Sequence, residues 1–160
     1  MQNDPYHNTL EFGFLPGQTV VELGSGSGFY AAALSTVLGS KGHVYAVDID
    51  PTSLIRLKKA ALLEARGNID VLEGDFETLG GVPLRSNLAD GAVFAHTIDR
   101  AQNADAALEE AKRLLKKGGR LAIVAREKIF NRETGVRNGF MFERAFDAGR
   151  GCAGLIFRKG

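Results

Sequence analysis

The sequence predicts a doubly wound α/β domain on a mostly parallel sheet whose last strand runs antiparallel. Three observations carry that prediction. Short β-branched apolar runs alternate with helical stretches from residue 19 to residue 125. A glycine-rich bend, GSGSG at 24–28, joins the first run directly to the first helix. The pattern then changes, and residues 139–159 read as two strands around a glycine-bearing turn. Strands alternating with helices build right-handed βαβ crossovers and hence parallel neighbours, whereas a hairpin adds an antiparallel pair.

Each element follows from its residues. TVVEL, 19–23, introduced by Pro16-Gly17, is a short apolar run of the kind found in buried strands. FYAAALSTVLG reads as a helix closed by Gly39. HVYAVDI, 43–49, is the second strand. Asp50 then caps a helix that has Pro51 in its first turn. Leu54, Leu57, Ala61 and Leu62 give that helix an apolar stripe, and Gly67 ends it. IDVLEG, 69–74, is the third strand. Gly80-Gly81 and Pro83 make the stretch from Phe76 to Ala89 a loop with at most a short helix. GAVFAHT, 91–97, is the fourth strand. A helix from Ala104 to Lys117, capped by Asn103 and stopped by Gly118-Gly119, leads to RLAIVA, 120–125, the fifth. KIFNRETGVRNG has weak periodicity and two glycines, so a loop or short helix is expected there. GFMFERAF, 139–146, and AGLIFRK, 153–159, form a hairpin about DAGRGC.

Composition bounds the function. With 160 residues, 44% of them apolar and 24% charged, the chain reads as one globular domain over 1–160. It has a short N-terminal segment, 1–17, and a basic C-terminal segment, 126–160. A net charge of +1 excludes polyanion binding by charge alone. The charge is uneven, however, with 8 basic against 4 acidic side chains in 126–160. That segment either meets an acidic substrate or is a solvated face. The single cysteine, Cys152, rules out an internal disulfide and suits a reducing, cytoplasmic setting. The N-terminus lacks the charged and apolar regions of a signal peptide, and no apolar run approaches the ~18 residues of a membrane span. Residues 1–17 are expected to be disordered; the other reading lets Tyr6 swing over a bound cofactor.

The chemistry concentrates where strand, GSGSG and helix meet a second strand ending in Asp48. In open α/β sheets ligands bind beyond the carboxyl ends of the strands. Asp48 lies 20 residues after Gly28, where a carboxylate accepts from both ribose hydroxyls of an adenosine-bearing cofactor. The spacing is G-x-G-x-G with Phe29 in sixth place, which departs from the dinucleotide pattern G-x-G-x-x-G/A.

VVELGSGSG resembles the first motif of class I S-adenosylmethionine-dependent methyltransferases. AVDID resembles their second, acidic motif and LEGDFE, 72–77, their third. LKKGGRLAIV, 115–124, resembles the helix, glycine turn and fifth strand of the same family. The resemblance runs in order from about Leu15 to Ala125. DIDPTSL and LKKGGRLAIV are similar to stretches of its small-molecule and quinone-type branch. It implies a Rossmann-like seven-stranded sheet of order 3-2-1-4-5-7-6, with the helix between strands five and six shortened or missing. It also implies S-adenosylmethionine as cofactor. Gly24, Ser25, Gly26 and Gly28 would then face its methionine part, with Glu22 near the amino group. Asp48 would hold the ribose, Ile49 would lie against the adenine, and Asp75 and the Phe76 amide would meet the adenine edge. Two other readings stay open: Asp75 as a turn-initiating aspartate, and Glu22 as an exposed partner of a helix dipole.

AHTID, 95–99, would lie beside the reactive methyl group. His96 is the candidate general base, since its pKa lies near neutrality; the other reading has it packing against the cofactor without moving a proton. Asp99 is a weaker candidate, or the cap of a following turn. The segment departs from the Asn/Asp/Ser-Pro-Pro-aromatic motif of methyltransferases acting on base or glutamine amino groups. That disfavours those substrates; the resemblance to the small-molecule and quinone-type branch favours a small-molecule acceptor, while the sparse cover over the cleft leaves RNA or protein as a larger alternative. No metal is expected. The short link after the fifth strand would leave a sheet face underprotected, which suggests a homodimer. Two other function classes remain: a non-catalytic S-adenosylmethionine-binding domain, and a nicotinamide-dependent oxidoreductase.

Overall fold

The computed structural model describes residues 4–160. Its elements in chain order are α1 (Pro5–Glu11), β1 (Thr19–Leu23), α2 (Phe29–Leu38), β2 (His43–Asp48), α3 (Pro51–Leu63), β3 (Ile69–Glu73) and β4 (Ala89–Ala95). A short 3-10 turn (Ile98–Arg100) leads to α4 (Ala104–Leu114), β5 (Leu115–Arg126), α5 (Arg132–Arg137), β6 (Phe140–Gly149) and β7 (Cys152–Lys159). The seven strands form one sheet of order β3-β2-β1-β4-β5-β7-β6. β3, β2, β1, β4 and β5 pair in parallel, and β7 pairs antiparallel with both β5 and β6. The expected strand order and the antiparallel last strand are both found.

Side-chain alternation along β1 divides the core. Val20 joins a cluster with Phe12, Tyr30, Leu34 and Leu57 beneath α1, α2 and α3. Val21 and Leu23 join Phe94, Leu108, Leu114 and Phe157 beneath α4. Glu22 shares the face of Val20, so its carboxyl lies under α2 rather than in solvent.

Several boundaries differ from expectation. Within the N-terminal segment Pro5–Glu11 form a helix rather than disordered chain, while residues 1–3 lie outside the described residues. Asp4 caps it by accepting the Tyr6 N–H at 2.9 Å, and Pro5 stands in its first turn. Asn8 Nδ2 donates to the Tyr30 hydroxyl at 2.9 Å, and the Phe12 ring stacks on Tyr30. Tyr6 is directed at His7. The helix expected to reach Lys117 stops at Leu114, because Leu115 is buried and pairs with Ala89 as the first residue of β5. Lys116–Gly119 then bulge before pairing resumes at Gly91 and Arg120. The fourth strand ends at Ala95, which leaves His96 and Thr97 beyond it. On α3, Leu57 and Ala61 are buried but Leu62 is 82% exposed, so the apolar stripe is narrower than read. The link between β5 and β6, residues 127–139, holds only the six-residue α5, as expected. Gly135 of α5 packs so closely on Phe157 that a Cβ there would collide with the ring.

Candidate active site

A cleft of about 400 Å³ opens at the carboxyl ends of β1 and β4. The bend after β1 forms its floor. The Gly24 and Ser25 N–H groups both donate to the Val47 carbonyl, at 2.8 and 2.9 Å, which ties the bend to the end of β2. Gly26 N–H donates to Asp48 Oδ2 at 2.8 Å, and the Asp50 N–H to Asp48 Oδ1 at 2.9 Å. Asp48 therefore fixes the bend from the neighbouring strand and keeps lone pairs for a further donor.

The glycines serve different ends. A Cβ on Gly24 would collide with Thr97, and one on Gly28 with Leu57. Those two let the end of β4 and helix α3 approach closely. A Cβ on Gly26 would meet no protein atom within 4 Å, so Gly26 alone of the three faces open space.

Glu22 lines the cleft from below at 1% exposure, and its Oε2 has no hydrogen-bond partner among the described residues. Burial, and behind it the charge of Asp48, pushes its carboxyl well above the usual carboxylate range. The exposed helix-dipole role does not fit a side chain this deep. A buried oxygen lacking a donor suits a cationic group entering from the cleft. The Ser25 hydroxyl beside it is likewise buried and unpartnered.

The opposite wall is His96, Thr97 and Arg100, with Arg150 from the β6–β7 turn. His96 holds a left-handed backbone, φ 59°, and its N–H donates to the Val124 carbonyl at 2.8 Å. Its ring lies against Tyr30, and its Nδ1 is 3.9 Å from the Cys152 thiol. Burial lowers its pKa; Asp99 opposes that shift and Arg100 adds to it. His96 is thus a neutral imidazole at neutral pH. Asp99 is committed elsewhere: its Oδ2 accepts from the Arg126 N–H and Nε at 3.1 and 2.8 Å. Those bonds outweigh its burial and hold its carboxyl below the usual range.

The remaining expected site residues lie outside the cleft. Ile49 is 64% exposed just past β2. Asp75 caps a local turn, accepting from Glu77 N–H at 2.9 Å and Thr78 Oγ1 at 2.8 Å. The Phe76 ring packs edge-on against Phe94 and borders Gly24. The structure therefore brings Glu22, Gly24, Ser25, Gly26 and His96 into one cleft, with Asp48 joined to it through Gly26. The sequence reading missed Tyr30, Thr97, Arg100 and Arg150. Thr97 Oγ1 donates to the Leu23 carbonyl at 2.9 Å and so ties the end of β4 to β1. Its place within AHTID was the available signal; Arg150 had none beyond the basic C-terminal segment.

Comparison with known proteins gives a consistent result. A family model described as "Methyltransferase domain" matches residues 21–123. A ubiquinone/menaquinone biosynthesis C-methyltransferase of Vibrio cholerae is 32% identical over 114 residues, 70% of this chain and 42% of that protein. The Pseudomonas putida protein of the same description is 31% identical over 143 residues, 88% of this chain and 51% of that protein. The chain thus spans about half the length of the curated relatives it matches. The crystal structure of a SAM-dependent methyltransferase from Aquifex aeolicus superimposes with a TM-score of 0.86 at 28% identity, covering 97% of this chain and 89% of that one.

Proposed function

From its membership in the methyltransferase-domain family, to which this chain belongs, we propose that it moves the methyl group of S-adenosylmethionine to a small-molecule acceptor. The observation that carries the reading is the buried Glu22 Oε2 beneath the Gly24–Gly26 bend, an oxygen with no hydrogen-bond partner among the described residues. That oxygen meets the methionine ammonium, and the bend passes along the methionine chain. Asp48 takes the ribose hydroxyls, while Ile49, Asp75 and the Phe76 amide border the adenine on the open ledge past β2 and β3. S-adenosylmethionine supplies a methyl group on a sulfonium whose departure needs no acid.

What remains for the protein is to hold the acceptor in line and, for a protonated nucleophile, to remove its proton. His96 is placed for that: it is neutral, half-buried, and held at the mouth of the cleft by its own backbone. His96→Asn suits the left-handed backbone and separates the roles. Turnover should fall about 10²-fold or more while S-adenosylhomocysteine affinity stays near wild type. Unchanged turnover would make His96 a packing residue. Calorimetry with S-adenosylhomocysteine tests the cofactor itself, and no heat of binding would end the reading. Accumulation of S-adenosylhomocysteine in the presence of an acceptor separates an enzyme from a binding domain.

Two further readings accompany this one. Among the described residues no helix is long and apolar enough to cross a membrane, and we place the protein in the cytoplasm. Ile129, Val136 and Met141 are exposed near α5 and β6, which supports a homodimer through that region. A monomer in light scattering at micromolar concentration would count against the dimer.

A further inference from the structure

We propose that Arg100 and Arg150 form an anion-recognising rim over the reactive end of the cleft, so that the methyl acceptor carries a carboxylate or phosphate group. The inference rests on the methyltransferase reading and gives it a substrate class.

The first observation is placement. Arg100 follows β4 on the short 3-10 turn, Arg150 sits in the β6–β7 turn, and both line the cleft beside His96 and Thr97. Cys152, the first residue of β7, pairs with Arg126 at the end of β5. The β6–β7 turn therefore projects at the same carboxyl edge of the sheet as the bend after β1. The two arginines come from distant parts of the chain and converge on one opening.

The second observation is charge. Most other guanidinium groups are matched. Arg113 sits on Glu110, Arg126 on Asp99, Arg144 on Glu11 and Arg158 on Glu143. Arg100 and Arg150 make no ion pair and no side-chain hydrogen bond among the described residues. Among the described residues no carboxylate pairs with either: Asp99 is held by Arg126, Glu22 is buried below the cleft with its proton favoured, and Glu127, whose N–H donates to the Gly151 carbonyl beside Arg150, forms no ion pair. The charge of Arg100 reaches His96, whose protonation it disfavours. The excess of basic side chains in 126–160 is thus largely absorbed by pairing, and Arg150 is the member of it turned to the cleft.

The third observation is backbone cost. Gly149 and Cys152 pair across a two-residue turn whose central residues, Arg150 and Gly151, have φ 55° and 73°. Two positive φ values mark the hairpin turn that Asn-Gly or Gly-Gly fills without strain. An arginine there is held in a region its Cβ disfavours. An unfavourable residue kept at the mouth of a ligand cleft points to a side-chain role. Arginine's planar fork suits carboxylate and phosphate oxygens, and the walls it faces, Pro5, Phe29 and Tyr30, suit an apolar or aromatic body.

The test uses the full chain saturated with S-adenosylhomocysteine and titrated with benzoate and with inorganic phosphate. The proposal expects at least one probe to bind, more weakly as salt is raised. Arg100→Gln and Arg150→Asn should each cost about tenfold or more in probe affinity. Arg150→Asn relieves the turn, so its melting temperature should match or exceed wild type; lost anion binding in that variant is then not a folding defect. S-adenosylhomocysteine affinity should stay within about twofold in both variants. Three results would overturn the proposal: no binding of either probe to the wild type, wild-type probe affinity in both variants, or a tenfold loss of S-adenosylhomocysteine affinity. The last would assign the arginines to the cofactor's own carboxylate. Should S-adenosylhomocysteine fail to bind the wild type, the cofactor reading falls; the same titrations on the free protein then decide the rim by themselves.

Discussion

Titrating the demethylated product across neutral pH tests the cleft at its buried acid. Glu22 is 1% exposed, one of its oxygens has no partner, and burial together with Asp48 favours its protonated form. In the free protein it therefore keeps its proton at pH values where an ordinary glutamate has lost it. An ammonium arriving from the cleft favours the carboxylate, so binding expels that proton. The free protein binds one proton more than the complex, so affinity rises with pH below the raised pKa and levels off above it. While the proton is fully held, the slope is about tenfold, or ~1.4 kcal/mol, per pH unit. Neighbouring groups do not mimic this above about pH 6.5: Tyr30 is pushed up to about 12 and His96 is lowered, so both stay neutral there. Calorimetry with S-adenosylhomocysteine, in buffers of different ionisation enthalpy, reads the released protons directly. Glu22→Gln should flatten the profile and weaken binding by about 1.5–3 kcal/mol, the worth of a charged hydrogen bond. The same shift acts on folding: with its pKa raised in the folded state, Glu22 contributes stability below its unfolded pKa that is lost as pH rises through the folded one. A wild-type titration that releases no proton and shows no slope, or a slope that survives in Glu22→Gln, refutes the assignment.

Other residues make separable predictions. Asp48→Ala strips the acceptor from the Gly26 and Asp50 N–H groups and should weaken S-adenosylhomocysteine binding by roughly 1–3 kcal/mol; unchanged affinity in calorimetry would remove Asp48 from the site. Gly28→Ala drives a Cβ into Leu57 at a φ of 85° and should lower stability by about 1–3 kcal/mol in urea unfolding. Gly26→Ala meets open space, so it should cost less stability than Gly28→Ala and more cofactor affinity; the reverse ranking would contradict the division of roles drawn for this bend. Glu110 is fully buried, accepts the Gly80 and Val82 N–H groups and pairs with Arg113. Glu110→Ala should cost about 3–5 kcal/mol, because it removes the counter-charge of Arg113 and leaves the Gly80 and Val82 N–H groups without their acceptor. The bonds from Arg113 and the two amides outweigh burial and lower the Glu110 pKa. Its stability contribution is present above the unfolded carboxyl pKa and lost as pH falls through the folded one. An acid-unfolding curve unchanged in Glu110→Gln would refute that.

The sheet was legible because its strands are short apolar runs and its turns carry glycine. What the sequence hid has physical reasons. The Asp4-Pro5 start of α1 carries the same cap signal as Asp50-Pro51, but no long apolar stripe follows it. Its anchors, Phe12 and Phe14, lie past the helix end and bury themselves through tertiary contact alone. At Leu115 a helix passes directly into a strand, and local pattern cannot show that Leu115 pairs with Ala89 before the Lys116–Gly119 bulge. Glu22, Asp75 and the Phe76 amide were expected from motif positions alone, whereas Asp48 was also legible from its place one strand beyond the glycine bend.

Two residues at the reactive end, the expected His96 and the missed Arg150, share one backbone property. Ala65, Asn87, His96 and Arg150 are the described non-glycine residues with positive φ, and the last two line the cleft. Asparagine adopts this backbone readily, and Ala65 follows the end of α3, where helices commonly stop in it. Histidine at the end of a strand and arginine inside a hairpin turn have no such excuse from local structure. Sequence rules look for glycine at such positions and so pass over Arg150, whereas His96 was found by its titration range. Strain of this kind persists only where surrounding structure holds it: the Val124 carbonyl fixes His96, and the Gly149–Cys152 pair fixes Arg150. Both anchors belong to the β5–β7–β6 half of the sheet, which the cofactor motifs do not touch. The antiparallel end of the fold therefore holds the His96 and Arg150 wall of the cleft in place, just as β1 and β2 hold the glycine bend opposite it.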